Sequence, residues 1–253
     1  MPIRCFEGNA RPNEPFWRVR NAEETGSEPE MEMYGYISEF SWFDDDVTPA
    51  MFKDQLYALG QGGPITVRIN SGGGDVFAAS VIRATMADYP GHITTRIDGM
   101  AASAAVIVAM AGKTIKIQDT AYMMIHDPAF SVMWATLDIE TLGRMHETLK
   151  AIKSGIVDTY QSKTGMSRER LAKMMSEETW MSASEAVKLG FADQVLGGDG
   201  AAQNMTVLNA VQNYRNVPAA LLLAATKTPD TRPDISDAEK RFRAEVKLVL
   251  GGE

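Results

Sequence analysis

Hydrophobic and polar positions alternate in Ile65-Thr-Val-Arg-Ile69 and again in Ile93-Thr-Thr-Arg-Ile97, the period of two that belongs to strands. The two segments agree at four of five positions and lie 28 residues apart. Each runs through small residues into an apolar stretch of helical length: 72–74 into 76–86, and 99–102 into 104–110. A strand–turn–helix unit repeated at this period predicts parallel strands in a superhelical α/β core. The two turns then fall side by side at the carboxyl ends of adjacent strands, where ligand sites of such sheets collect.

The same reading predicts the other elements. Residues 33–37 form a strand, and Phe16-Trp-Arg-Val-Arg20 alternates as a short one could. Thr48 and Pro49 open a helix with Phe52, Leu56 and Leu59 on its apolar stripe and Gly60 at its end. Residues 114–117 and 121–125 are short strands, the second running into His126-Asp-Pro128. A long helix over 137–160 shows Leu142, Met145, Leu149, Ile152, Ile156 and Tyr160 at steps of three or four. Ile139 and Val157 widen that stripe to more than one face, which calls for a second packing partner. Ser167 caps a short helix, Ser182-Ala-Ser-Glu185 is a capping box closed by Gly190, and 191–196 is a last strand. Beyond it, Gly197-Gly-Asp-Gly200 reads as a linker, and 201–235 is rich in Ala, Asn, Thr and Pro. Ser236-Asp-Ala-Glu239 then caps an amphipathic helix over 236–250, which docks either on a partner or back on its own domain. The chain divides into three regions: an N-terminal segment 1–32, a core domain 33–197, and a linker with helical tail 198–253.

Composition narrows the chemistry. At 253 residues the chain can bury a large core. A formal net charge of −8 argues against nonspecific nucleic-acid binding. Cys5 is the only cysteine, which excludes an intrachain disulfide and a Cys-based metal site and fits a reducing cytoplasm. The start carries no secretory signal, and the longest apolar run is too short to span a membrane. The glycines 72–74 lack the Lys-Ser/Thr of a phosphate loop, so no nucleotide, metal or other cofactor is expected.

Ser103 is the one hydroxyl in the uncharged stretch 99–112, at the point where a buried strand turns into a buried helix. Backbone N–H groups at a helix start lie beside it, which suits an acyl-transfer nucleophile with an oxyanion site. Taken alone, the stretch reads first as an Ala-rich core helix with a satisfied serine. Of three histidines, His92 follows Pro90-Gly91 in a surface turn and His146 lies off the apolar stripe of the long helix. His126 ends a buried strand, because Pro128 keeps Asp127 extended.

Four segments in order, Ile69-Asn-Ser-Gly-Gly-Gly74, Gly99-Met-Ala-Ala-Ser103, Met123-Met-Ile-His126-Asp-Pro128 and Trp180-Met-Ser-Ala183 with Glu185-Ala-Val-Lys-Leu-Gly190-Phe-Ala-Asp193, resemble the Clp-type (ClpP-like) serine peptidases. The set, with Phe16-Trp-Arg-Val-Arg-Asn21 ahead of it, is similar to the phage and prophage branch, the head-maturation (prohead) proteases. The resemblance covers about residues 33–196 and implies a superhelical ClpP/crotonase-type fold with a long helix insertion. It implies Ser103 as nucleophile and His126 as base, with the N–H groups of Gly74 and Ala104 at the oxyanion site. The acid departs from the general pattern, which has Asp where this chain has Glu178, beside Glu177. Gly72 stands where the pattern often has Pro.

The resemblance further implies a serine endopeptidase that works as a homo-oligomeric ring. Its substrates would be scaffold and capsid proteins, in the host cytoplasm or the prohead interior. Any ATP dependence would belong to a partner unfoldase. A crotonase-like acyl-CoA enzyme shares the fold and a backbone oxyanion site. A signal-peptide-peptidase relative with a Ser-Lys pair would leave the histidine motif idle. A catalytically silent ring-forming scaffold protein is the reading from another class.

Overall fold

A computed structural model describes residues 28–38, 48–130, 136–197, 214–219 and 221, and the backbone of 19–20. Strands β1 (Val19–Arg20), β2 (Glu30–Ile37), β3 (Ile65–Gly74), β4 (Ile93–Ala102), β5 (Thr114–Gln118) and β8 (Gln194–Leu196) lie in that order across one sheet. All its neighbours pair in parallel except β1, which runs antiparallel to β2. The helices are α1 (Pro49–Gly60), α2 (Val76–Asp88), α3 (Ala104–Ala109), α4 (Ile139–Thr164), α5 (Arg168–Ser176) and α6 (Ala183–Lys188). The helix read over 236–250, residues 198–213, 220 and 222–235 of the stretch read ahead of it, and residues 16–18 of the first alternating stretch lie outside the described residues.

The internal echo of the sequence is the register of the sheet. Ile65 pairs with Ile93, Arg68 with Arg96 and Ile69 with Ile97. Ile65, Val67, Ile69, Ile93, Ile97, Ile115 and Ile117 are almost wholly buried, which agrees with a parallel sheet covered by its crossover helices. On the opposite side of the pleat, Arg68 crosses three strands. Its Nε lies 2.6 Å from Asp98, and its Nη1 lies 3.2 and 3.3 Å from Glu30 and Glu32. Asp98 also takes Arg96 at 2.8 Å and the Tyr34 hydroxyl at 2.6 Å, so one half-buried cluster ties β2, β3 and β4 together.

Helix starts follow the capping chemistry of the sequence. Thr48 and Asp75 accept backbone N–H groups of α1 and α2, Asp138 and Ser167 those of α4 and α5, and Ser182 with Glu185 completes a capping box on α6. The end of α1 differs from expectation. Gln61, not Gly60, takes the left-handed position, at φ 46°. Gly60 is required for packing, because a Cβ there would run into the Tyr89 hydroxyl.

The small-residue segments 72–74 and 99–102, expected as turns, are instead the ends of β3 and β4. Each strand runs ten residues. This extension makes β4 fork: residues 94–97 pair with β5, while 100–102 pair with β6 (Tyr122–Ile125). Antiparallel to β6 lies β7 (Thr179–Ser182). The second, smaller sheet edge thus gathers the ends of β4, β6 and β7, and Ser103, Ala104, His126 and Glu178 sit directly before or after these strands, while Gly74 ends β3 beside β2.

Candidate active site

The motif Ile69-Asn-Ser-Gly-Gly-Gly74 has a structural account residue by residue. The β3–β4 register slips between Ile69 and Ser71. Buried Asn70 fills the gap, its Oδ1 accepting the N–H of Met100 at 3.1 Å. The Ser71 hydroxyl donates to the Gly35 carbonyl and accepts the Gly73 N–H, the latter at 3.1 Å. Gly73 has φ 97°, and a Cβ on it would lie 2.7 Å from the Ala102 carbonyl oxygen and 2.8 Å from Cβ of Ser103. It is therefore Gly73 that lets this backbone press against the serine turn. Gly74, at φ 145°, is pressed instead against the Ile37 backbone of β2.

Ser103 sits between β4 and α3 with φ 55° and ψ −123°. This is a strained, left-handed backbone for a non-glycine residue, of the kind that costs about 1–3 kcal/mol and persists only where the surroundings enforce it. The Ser103 N–H is held by the Met124 carbonyl at 2.8 Å, so β6 helps to enforce it. Although Ser103 occupies the N-cap position, its hydroxyl caps nothing. It faces His126 Nε2 at 2.7 Å. Ala104 follows in the first turn of α3, where an N–H has no carbonyl four residues back to bond.

His126 leaves the end of β6 as expected, and burial holds its imidazole below the ordinary histidine value of 6.5. The charges of Glu178 and Asp127 oppose that shift, and Arg215 adds to it. Asp127 is turned to the other side. Lys153 of α4 lies 2.6 Å from it and the Ser176 hydroxyl donates to it at 3.0 Å, so α4 and α5 fix the backbone that follows the histidine. Asp158 is exposed and paired with Arg168, away from the site. His92 and His146 are exposed, as their sequence contexts imply.

Glu178 stands between α5 and β7 with φ 51°, and its side chain is 3% exposed. Glu177, beside it, is exposed and 3.7 Å from Lys173. The burial of one glutamate and the exposure of the other separate the two. The Glu178 carboxylate acts on His126 through its charge, but its hydrogen bond goes elsewhere. Oε1 accepts the Asn216 N–H at 2.7 Å, and Oε2 lies 3.7 Å from Arg215 Nε.

The segment that engages it, residues 214–219 with 221, comes from the stretch read as a linker. Tyr214 stacks edge-on against His126 with centroids 5.4 Å apart, and its hydroxyl donates to the Gly72 carbonyl at 2.7 Å. Composition hid these residues, although Tyr214 is the only aromatic residue between 201 and 235. Tyr214, Val217 and Leu221 also recur at a spacing that places apolar side chains on one side of the segment.

Ser103 and His126 are thus in contact at a half-buried corner, with Gly73 and Ala104 beside the serine and the buried Glu178 acting on His126 through its charge, while Gly74 lies next along β3, against β2. The Clp protease family model matches residues 38–199. The chain belongs to the Clp protease family. Among curated relatives, the ATP-dependent Clp protease proteolytic subunit 1 of Chlamydia muridarum is 33% identical over 139 residues, 53% of this chain and 71% of that protein. The proteolytic subunit of Porphyromonas gingivalis is 31% identical over 157 residues, 60% of this chain and 69% of that protein. In three dimensions the chain is similar to ClpP1 from Listeria monocytogenes, with TM-score 0.56 and 22% identity, covering 69% of this chain and 94% of that one. That likeness shows the fold, an α/β parallel-sheet architecture of the ClpP/crotonase type. The family makes this chain a ClpP-like serine peptidase, a hydrolase of peptide bonds.

Among the described residues, no group of three His, Cys, Asp or Glu side chains is placed so that it could hold a metal ion. No helix among the described residues is long and apolar enough to cross a membrane.

Proposed function

We propose that this chain is a head-maturation protease of a phage or prophage, a serine endopeptidase that trims scaffold and capsid proteins. The peptidase chemistry is carried by one observation, the 2.7 Å contact between Ser103 Oγ and His126 Nε2 on a strained turn. Ser103 Oγ attacks the scissile carbonyl carbon while its proton passes to His126 Nε2. The oxyanion is received by the N–H groups of Gly74 and Ala104. The C–N bond then breaks, His126 protonates the leaving amine, and water repeats the sequence on the acyl-enzyme to release a carboxylate. Glu178 stabilises the imidazolium by its charge and, once free of other partners, orients the ring. Labelling by an alkyl fluorophosphonate tests this chemistry, and a crotonase-like or silent protein would take up no label.

The phage assignment rests on the four ordered motifs together with Phe16-Trp-Arg-Val-Arg-Asn21 and the Glu-Thr-Trp form at 178–180. The reading includes a homo-oligomeric ring, and α4 supports it. The C-terminal half of α4 is buried through Ile156, Val157 and Tyr160, whereas Ile139 and Leu142 at its start are 89% and 50% exposed. An apolar helix start held away from its own core suits a facing subunit. Light scattering at micromolar concentration is expected to give a mass of several chains. A monomer there would remove the ring from the reading. Capsid–scaffold shells assembled with the protease enclosed are expected to yield discrete scaffold fragments, and uncleaved scaffold would count against the substrate assignment. An unfoldase partner is not needed for that reaction, because scaffold segments are reached inside the shell.

The base must be neutral to accept the serine proton, so kcat/KM rises with pH through the His126 pKa. With that pKa held down by burial, the ascending limb is expected below the ordinary histidine value of about 6.5. Glu178→Gln removes a charge that favours the imidazolium and should move the limb lower still. Arg215→Ala removes one that disfavours it and should move the limb up. A limb above 7, or one that both variants leave in place, would show that His126 is not the group titrating.

A further inference from the structure

We propose that residues 214–221 are an intramolecular strap that occupies the substrate cleft and holds the peptidase inactive until it is displaced. The inference rests on the serine-peptidase reading above. Beside the serine turn, the ends of β4, β6 and β7 present Met100, Ala102, Met124 and Trp180 as a small apolar cluster separate from the main core. Tyr214, Val217 and Leu221 pack onto it. Tyr214 meets Trp180 edge-on at 5.8 Å and His126 at 5.4 Å, so one ring bridges the apolar cleft and the base. A cleft that seats an aromatic and two aliphatic side chains of one segment is a receptor for apolar side chains of a polypeptide, and here its occupant is the protein's own chain.

The strap also meets the polar members of the site. The Tyr214 hydroxyl commits its proton to the Gly72 carbonyl, so its oxygen is left as an acceptor. Asn216 caps the Glu178 carboxylate through its backbone N–H, and its side-chain amide donates to the Glu177 carbonyl at 2.7 Å. Arg215 sets a positive charge 3.7 Å from the Glu178 carboxylate that the imidazolium needs. Base, acid and cleft are all engaged by one short segment. A substrate strand cannot enter while it is seated.

The test compares four chains: wild type, a truncation after residue 213, full-length Tyr214→Ala/Val217→Asp, and Ser103→Ala. The rates are those of Ser103 labelling by an alkyl fluorophosphonate and of hydrolysis of an unstructured peptide. Both the truncation and the full-length double variant are expected to react at least tenfold faster than wild type. A synthetic peptide spanning residues 212–223, added to the truncated chain, should inhibit it competitively. If truncation prevents folding, the double variant and the peptide's effect on it decide the matter. Wild type reacting as fast as the double variant overturns the strap and leaves the peptidase reading standing. Failure of the peptide to inhibit also overturns the strap. Absence of Ser103-dependent labelling in every chain overturns the peptidase reading, and the strap falls with it.

Discussion

Ser103→Ala is expected to abolish fluorophosphonate labelling and to lower peptide-bond turnover by a factor of about 10⁶, the scale seen when a serine-protease nucleophile is removed. The fold should barely register the change. The Ser103 hydroxyl caps no helix, and its backbone N–H keeps the Met124 carbonyl. Alanine at φ 55° and ψ −123° carries the same backbone strain as serine, so the melting temperature should stay within a few degrees of wild type. The comparison is best made on the chain freed of its strap, where the wild-type rate is highest. Equal labelling of the variant at another residue would remove Ser103 from its role. A large loss of stability would show that the hydroxyl serves packing, and turnover could not then be read as chemistry.

Glu178→Gln should reduce turnover by roughly 10³–10⁴, as for the orienting carboxylate of a serine protease. Gln cannot supply the negative charge that offsets the burial of His126, and its amide would present a donor where an acceptor is needed. Glu178 is buried and Glu177 is exposed, so Glu177→Gln should change turnover less than about tenfold, since its charge is screened by water. Glu178→Asp keeps the charge but draws it back by one methylene. The left-handed backbone at φ 51° fixes where the side chain starts, which leaves a shorter acid little room to adjust. Activity well below wild type is therefore expected. Full activity of Glu178→Gln in both the strapped and the truncated chain would show that Glu178 serves the strap alone, as the anchor of Asn216 and Arg215.

Much of this organisation is determined by local sequence. The repeat at 65–69 and 93–97 predicts the parallel pairing because identical alternation needs identical register to bury the same face. Thr48, Asp75, Ser167 and the Ser182/Glu185 box mark helix starts because capping is a bond within a few residues. Ser103 and His126 could be paired through ordered motifs, and His92 and His146 set aside by their neighbours.

Tertiary structure decided what depends on residues far apart in the chain. The segments 72–74 and 99–102 became strand because β2, β3, β4 and β6 offer them pairing partners, which no local propensity reports. The same fork placed Gly73 against the serine turn, where a Cβ would strike Ala102 and Ser103. Glu178 is distinguished from Glu177 by burial between α5, β7 and the segment at 214–216, which spacing alone does not reveal. The strap was the least legible feature. Its contacts with Gly72, His126 and Trp180 join residues from 34 to 142 positions away. A short apolar recurrence within an Ala/Asn/Pro-rich stretch acquires meaning only when the folded domain supplies the cleft that it fills.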